Sequence, residues 1–579
     1  MTNRKTNIIL KLFLGSSILI LASFQALVNK HEPVILNQTG FEPDAPKRFT
    51  APLTSDGAVF VIRKKNDSKN LFQAKVKNHI GDFTAFNAQG KDFVVVLKGG
   101  TETSFPFNIE RNFYQEQFWN SALNFMVDSR SVTGSHPSAY GGSPWRDGVY
   151  YAYEVPSLIW LYRADPAFFE QMTKQINWED DKQRILSSGF IFDANNPESD
   201  QVMESVKRYY TELAAPHEDA PDIVKLIHWG LGFYLMKPYT KDPSADPAPR
   251  QIHSQVVEQF SHLLYAWDRL KLNRWLPQSF YDQCLHFALT HWKASGSFGV
   301  DPLWDTKTYT DPDKAAGEWK LDKDLHPYKG RHVPGHSILP NLYMSQVVKD
   351  KYPELSATFL AAAQEQTRWI IEHLDWNHPG TTKGQRGSEF QTILNLVWFL
   401  EKMPEHAPEG LQQKIEVWAK TVVSRSDNMW DFRRYDLQDH WTIPVMNETG
   451  NLAGFPACAL AAYRVVKDEH VKARIREVAY AHIDNLFGRN PKMAAASHRP
   501  EKGYELVERG WPIGYKLDVC ARLEFCRGGL DASPGSEMYP YNPDGKYRHP
   551  EGWINWNASW NVSLAMLKQY RENEFFSKY

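Results

Sequence analysis

An excess of charge of either sign is what this sequence most plainly lacks: Lys+Arg number 66 against Asp+Glu 68 over 579 residues. A nucleic-acid partner needs a basic field, so the balance gives that class no support. Cysteine is scarce as well. Cys284, Cys458, Cys520 and Cys526 are too few for a disulfide scaffold, and their spacing does not suggest a zinc site. Cys520 and Cys526 can pair if the loop between them turns back, but four buried thiols fit equally. Beyond Val28 no run is long and apolar enough to span a bilayer, and no repeat period is visible. The length exceeds the roughly 250–300 residues at which one core stops growing, so two or more domains are expected.

The N-terminus has a polar start with Arg4, Lys5 and Lys11, followed by an apolar stretch from Leu12 to Val28. This pattern reads as a secretory signal over residues 1–26, cut near Ala22 or Ala26, and places the mature chain outside the cell or in the periplasm. An uncleaved membrane anchor is the alternative. After cleavage no stable membrane insertion is expected.

Residues 32–110 read as β-structure. Phe60-Val61-Ile62 and Phe93-Val94-Val95-Val96-Leu97 are short β-branched runs, and Phe105, Phe107 and Ile109 alternate. Ser55-Asp56-Gly57, Asn66-Asp67 and Gly99-Gly100 supply turns. The spacing predicts a small β-sandwich. From Arg111 the period becomes helical through residue 579. About a dozen apolar-faced segments follow, among them Pro156 to Met172, His253 to Leu270 and Ala453 to Val466. Twelve helices in hairpins suit an (α/α)6 toroid.

Near the C-terminus, His549-Pro550-Glu551-Gly552-Trp553-Ile554-Asn555-Trp556-Asn557 joins one carboxylate to amides and indoles. Indole faces stack on sugar rings, amides bind hydroxyls, and a carboxyl beside indoles can have its pKa raised for acid catalysis. The plainer alternative is a helix burying its tryptophans. The loops between helices carry further polar groups: Trp145-Arg146-Asp147, His332, His336, Arg386, Tyr435 and His440. His332 and His336 are four apart, but Pro334 and Gly335 argue against a helical metal pair.

Several stretches, in order, resemble glycoside hydrolase family 9. Pro33 to Phe41 with Asp44-Ala45-Pro46-Lys47-Arg48 resembles the opening of the Ig-like domain that precedes many catalytic modules of that family. Ala122 to Met126 with Arg130, and Ala220-Pro221-Asp222-Ile223 with Trp229-Gly230-Leu231, resemble its helix starts. Phe487-Gly488-Arg489-Asn490-Pro491 matches its Gly-Arg-Asn-Pro signature, and Glu551 with Ile554 to Ala558 matches the block bearing its general acid. The resemblance implies an Ig-like β-sandwich followed by an (α/α)6 barrel that hydrolyses β-linked glycans, usually with inversion. Two departures stand out. Counted back from Val155-Pro156 without gaps, the family's base aspartate falls on Val149; Asp147 reaches it only if two residues are lost locally, and otherwise stands for the first aspartate of the motif. The Pro-His-His-Arg segment is absent; Ser497-His498-Arg499 stands nearby instead.

The expected protein is therefore a secreted glycoside hydrolase without a cofactor, with room for a structural calcium ion. Its acid is Glu551 and its best candidate base is Asp147. Trp145, Arg146, His332, His336, Arg386, Tyr435, His440, His498, Arg499, Trp553 and Asn557 are candidate substrate contacts. A cleft with several basic and amide groups would suit an acidic sugar. The partner is a carbohydrate; the oligomeric state is not legible. Two rivals stand beside this reading. One is a polysaccharide lyase using Tyr435, His332 or His440 as base and Arg331 or Arg433 to neutralise a uronate. The other is an inactive carbohydrate-binding protein.

Overall fold

A computed structural model describes residues 34–130 with short gaps, 144–145, 153–188, 197–237, 252–300, 334–377, 388–434, 448–489 and most of 554–576. The signal segment, Glu551, Asp147, Arg146, His332, Arg386, Tyr435, His440, His498, Arg499 and Trp553 lie outside the described residues, as do Cys520 and Cys526.

Six strands come first: β1 (Arg48–Thr50), β2 (Val59–Lys64), β3 (Phe72–Lys77), β4 (Ile80–Asp82), β5 (Gly90–Leu97) and β6 (Phe107–Ile109). They form one antiparallel sheet in the order β1-β4-β3-β2-β5-β6. The predicted runs at residues 60–62 and 93–97 are adjacent interior strands, with Phe60 opposite Leu97 and Ile62 opposite Val95. A two-sheet sandwich was the expectation; the described strands make a single sheet. Val34, Leu36 and Phe41 from the segment before β1, and Phe83 and Phe86 from the loop after β4, fill its inner face against Phe49, Phe60, Phe93 and Phe107. These rings meet edge-on or tilted, as Phe41 on Phe83 and Phe49 on Phe60 do, which suits their quadrupoles.

The helices follow: α1 (Phe113–Asp128), α2 (Glu154–Ala164), α3 (Pro166–Gln171), α4 (Trp178–Ser188), α5 (Pro197–Glu212), α6 (Asp222–Met236), α7 (Ser254–Ala266), α8 (Gln278–His291), α9 (Ile338–Val348), α10 (Pro353–His373), α11 (Ser388–Lys402), α12 (Leu411–Ser424), α13 (Glu448–Val465), α14 (Glu469–Asp484) and α15 (Ile554–Glu572). Sequence periodicity merges α2 with α3. The chain breaks between them because Asp165 leaves the helical region and caps α3, accepting from Phe168 N, with Pro166 at the first helical position. Helices α4 and α5 were not anticipated.

Packing closes a ring. Helix α2 packs on α7, α7 on α9, α9 on α11, α11 on α13, α13 on α15, and α15 returns to α2. Helices α6, α8, α10, α12 and α14 pack behind these. The division shows in burial: α2 and α7 are buried on every side, whereas α12 buries only Leu411, Ile415, Trp418, Ala419 and Val422 at helical spacing. Pro456 sits inside α13 and perturbs its hydrogen-bond ladder. Ser563 of α15 repairs the adjacent rung: its Oγ donates to Ala453 O and accepts from Ala457 N.

The sheet is fixed to the ring by buried polar groups. Asp431, 1% exposed, accepts from Arg489, Arg48 and Arg474, each at 2.8 Å. Arg489 also donates to Thr50 Oγ1, and Thr50 donates to Met429 O. Asn37 donates to Asp484 Oδ1 at 3.0 Å. The Gly-Arg-Asn-Pro arginine thus joins the two parts.

Candidate functional site

The inner helices begin at one end of the ring. A void of about 20 Å³ there is lined by Tyr153 and Pro156 at the start of α2, Gln255, Glu258, Gln259 and His262 of α7, His336 and Pro340 at the start of α9, and Gln391 of α11. Four helix starts therefore share one space. Helix N-termini carry partial positive charge, and here it faces a mouth that already holds the Glu258 carboxylate.

The polar wall comes largely from α7. Gln255, Glu258, Gln259 and His262 fall at i, i+3, i+4 and i+7, a single helical face, while Val256, Val257, Phe260, Leu263 and Leu264 turn away. Both faces are buried. Glu258 is the hub: its Oε2 accepts from His336 Nδ1 at 2.6 Å and its Oε1 accepts from Ser337 Oγ. His336 and Ser337 also approach each other at 3.0 Å. The carboxylate places a proton on Nδ1 and fixes the plane of the ring. Thr392 and Asn395 of α11 hold the backbone before α9, donating to Pro334 O and Gly335 O.

Tyr153 enters α2 in the left-handed region at φ 67°. Strain of this kind in a non-glycine residue accumulates at functional sites. Burial pushes its phenol pKa up, so it stays protonated. His262 meets Tyr153 and Tyr343 edge-on, and burial drives its pKa down to about 3, leaving it neutral. Glu154, directly after Tyr153, is wholly buried.

Three of the sequence candidates can be placed. His336 lines the mouth. Asn557 is buried in the first turn of α15; its Oδ1 faces Asn561 Nδ2 at 3.4 Å, and its Nδ2 makes no hydrogen bond among the described residues. Trp145 corrects the expectation. It is 0% exposed, donates its indole N–H to Met126 O at 2.9 Å, and packs so closely on Gly230 that a Cβ there would lie 2.7 Å from its ring. That leaves it no face for a sugar. Arg433, offered to a uronate by the lyase reading, is also corrected: it is buried and bonded to Glu389, which in turn accepts from Trp418 Nε1. Sequence reasoning missed Gln255, Glu258, Gln259 and Gln391. The polar stripe inside an otherwise core-like helix was the available signal.

A cavity of about 490 Å³ lies elsewhere, between residues 174–179 and 215–219 before α6. Its charges are engaged in other work. Lys174 pairs with exposed Asp219, and Lys225 and Asp222 tie the loop to α6 through backbone contacts with Ile176. We assign the candidate site to the mouth, where groups from four helices converge. Among the described residues no cluster of three His, Cys, Asp or Glu side chains fits a metal ion, and no helix is long and apolar enough to cross a membrane. Cys284 and Cys458 are buried free thiols.

No family model matches the sequence, and no curated protein matches it. Solved structures do resemble the fold. Bacteroides ovatus GH9 aligns with a TM-score of 0.51 at 13% identity, covering 93% of this chain and 98% of that one. A thermostable endoglucanase from Alicyclobacillus acidocaldarius, solved as a D468A mutant, aligns at 0.54 and 14% identity, covering 93% and 100%. AaCel9A in complex with cellobiose-like isofagomine aligns at 0.52 and 13% identity. The chain therefore has a glycoside hydrolase family 9-like fold, a sheet domain joined to a helical toroid.

Proposed function

We propose that this protein is a secreted glycoside hydrolase that opens glycosidic bonds by paired-carboxylate chemistry with inversion. The observation that carries the reading is the convergence of inner-helix starts on one polar mouth in a glycoside hydrolase family 9-like fold. In sequence, most of the missing candidates stand shortly before an inner-helix start: Arg146 and Asp147 before α2, His332 before α9, Arg386 before α11, Tyr435 and His440 before α13, and Glu551 and Trp553 before α15; His498 and Arg499 follow α14 instead. In this reading Glu551 protonates the leaving oxygen. Asp147 takes a proton from the water whose oxygen bonds the anomeric carbon, across a gap of roughly 6.5–9.5 Å that admits that water. Arg146, His332, Arg386, Tyr435, His440, His498, Arg499, Trp553 and Asn557 hold the sugar. The segment 1–26 directs export.

The test is Glu551→Gln, assayed for reducing ends over a panel of defined oligosaccharides, with product anomers followed by NMR. Turnover should fall at least a thousandfold while the melting temperature stays put. Full activity in this variant would remove Glu551 from the role. A second reading, a carbohydrate-binding protein without turnover, is favoured by one observation: Val149 occupies the register of the family base. Tight glycan binding by the wild type with no bond cleavage would select it.

A further inference from the structure

The cavity of about 490 Å³ before α6 lies apart from the mouth. Helices α2 and α7 both start at the mouth, and the cavity walls lie past their ends. Residues 174–179 follow α3, which continues from α2, and His217 donates its backbone N–H to Trp275 O, beyond α7. The cavity therefore opens at the opposite end of the ring. Its volume falls in the small-ligand range of about 300–1,000 Å³. Trp178, at the start of α4, lines it with a half-buried indole. Tyr209, Tyr210 and His228 pack on that indole at centroid distances of 4.6, 4.8 and 5.5 Å, which holds it in place before any ligand arrives. Lys225 borders the same space. It is 5% exposed, and its ammonium donates to Ile176 O and Glu218 O at 2.9 Å, which leaves one of three N–H groups without an acceptor among the described residues. His217, exposed on the wall, accepts from Asp219 N through Nδ1, so its neutral ring carries the proton on Nε2. Glu179, Glu218 and Asp219 add acceptors. Three carboxylates against the ammoniums of Lys174 and Lys225 oppose an anionic ligand. An indole ringed by donors and acceptors suits a neutral sugar.

We infer that this cavity is a second glycan-binding site, which takes a neutral pyranose unit of a polysaccharide at the end of the ring away from the mouth and raises the affinity of the chain for polymer over short oligosaccharides. The choice of a glycan as ligand rests on the glycan-cleaving reading above. Binding is measured on the full mature chain carrying Glu551→Gln, so that the ligand stays intact, by retardation in gels cast with a panel of neutral polysaccharides. Turnover is measured with Glu551 in place on 4-nitrophenyl glycosides, which are too short to reach from the mouth to the cavity. Ala215 is exposed on the cavity wall, so Ala215→Arg fills the space without touching the interior. It should weaken polysaccharide binding about tenfold and leave kcat/KM on the short glycosides within twofold. Trp178→Ala should weaken binding by a similar factor through loss of the indole; the arginine variant keeps the test open if the alanine variant does not fold. No retardation of the parent chain by any polysaccharide, unchanged binding in Ala215→Arg, or equal losses on polymer and short glycoside would overturn the inference and leave the hydrolase reading intact. Binding that depends on Ala215, with no cleavage of any glycoside by the wild type, would remove the hydrolase reading and support the second site.

Discussion

Replacing Asp431 with asparagine takes away the carboxylate on which Arg489, Arg48 and Arg474 converge. The three contacts are not equal. Arg48 and Arg474 are 17% and 18% exposed and both reach Glu477 as an alternative partner, at 3.1 and 2.7 Å. Their pairing with Asp431 is partly screened and contributes little on its own. Arg489 is 0% exposed, and Asp431 is the only carboxylate within ion-pair distance of it among the described residues, with Asp484 farther off in its field. Stranding a buried cation costs about 3–5 kcal/mol, a large part of a folding free energy of about 5–15 kcal/mol. Backbone strain does not confound the change: Asp431 has φ 50°, which asparagine also tolerates. The pH dependence supplies a second check. Burial acts to raise the pKa of Asp431, but the arginines overcome it and hold it below the ordinary carboxylate value. A depressed folded pKa gives stability that is present above about 3.9, the unfolded value, and is lost as pH falls through the folded one. The penalty of Asp431→Asn should therefore be full at pH 7 and shrink toward pH 3. Urea unfolding followed by tryptophan fluorescence measures it, and limited proteolysis near residue 110 reports release of the sheet. A loss below about 0.5 kcal/mol at pH 7, the range of an ordinary surface change, or an equal loss at both pH values, would refute the reasoning.

Two further outcomes follow from buried groups. Burial pushes Asp484 up to about 7, against the pull of Arg489 and Asn37. A raised carboxyl favours the fold fully below its unfolded value, and this contribution is lost as pH rises through about 7. Asp484→Asn should flatten the decline in melting temperature between pH 5 and 8, with a ceiling of roughly 4 kcal/mol at the alkaline end; an unchanged slope would count against the assignment. Ser563→Ala should cost about 1–3 kcal/mol by leaving Ala453 O and Ala457 N without their bridge. Calorimetry showing no change would mean that the rung closes directly across Pro456.

Much of the architecture was legible because it is local. Alternating phenylalanines and the 60–62 and 93–97 runs mark the strands, and apolar spacing marks most helices. A three-residue strand such as β4 carries too little pattern to be seen, and in α4 and α5 the many charged residues mask a narrow apolar face. The site was harder, for a different reason. Glu258 meets His336 across 78 residues of sequence, and Glu389 meets Arg433 across 44. Nothing in either neighbourhood foretells the pairing. Trp145 misled because an indole beside charged residues looks the same in sequence whether its face is packed or open. Arg489 was visible as part of a signature, but its work of binding Thr50 and Asp431 appears only once the sheet is docked.

The closure of α15 on α2 also bears on how the chain is made. These partners lie about four hundred positions apart, so during synthesis the first inner helix waits with one flank unsealed until α15 is made. Contacts of such long range form slowly, and an exposed apolar flank in an unfinished chain invites aggregation. The helix that completes the ring also follows directly on Glu551. A ribosome that stalls before it releases a product lacking both closure and the proposed acid, so truncated chains would be inert as well as unstable.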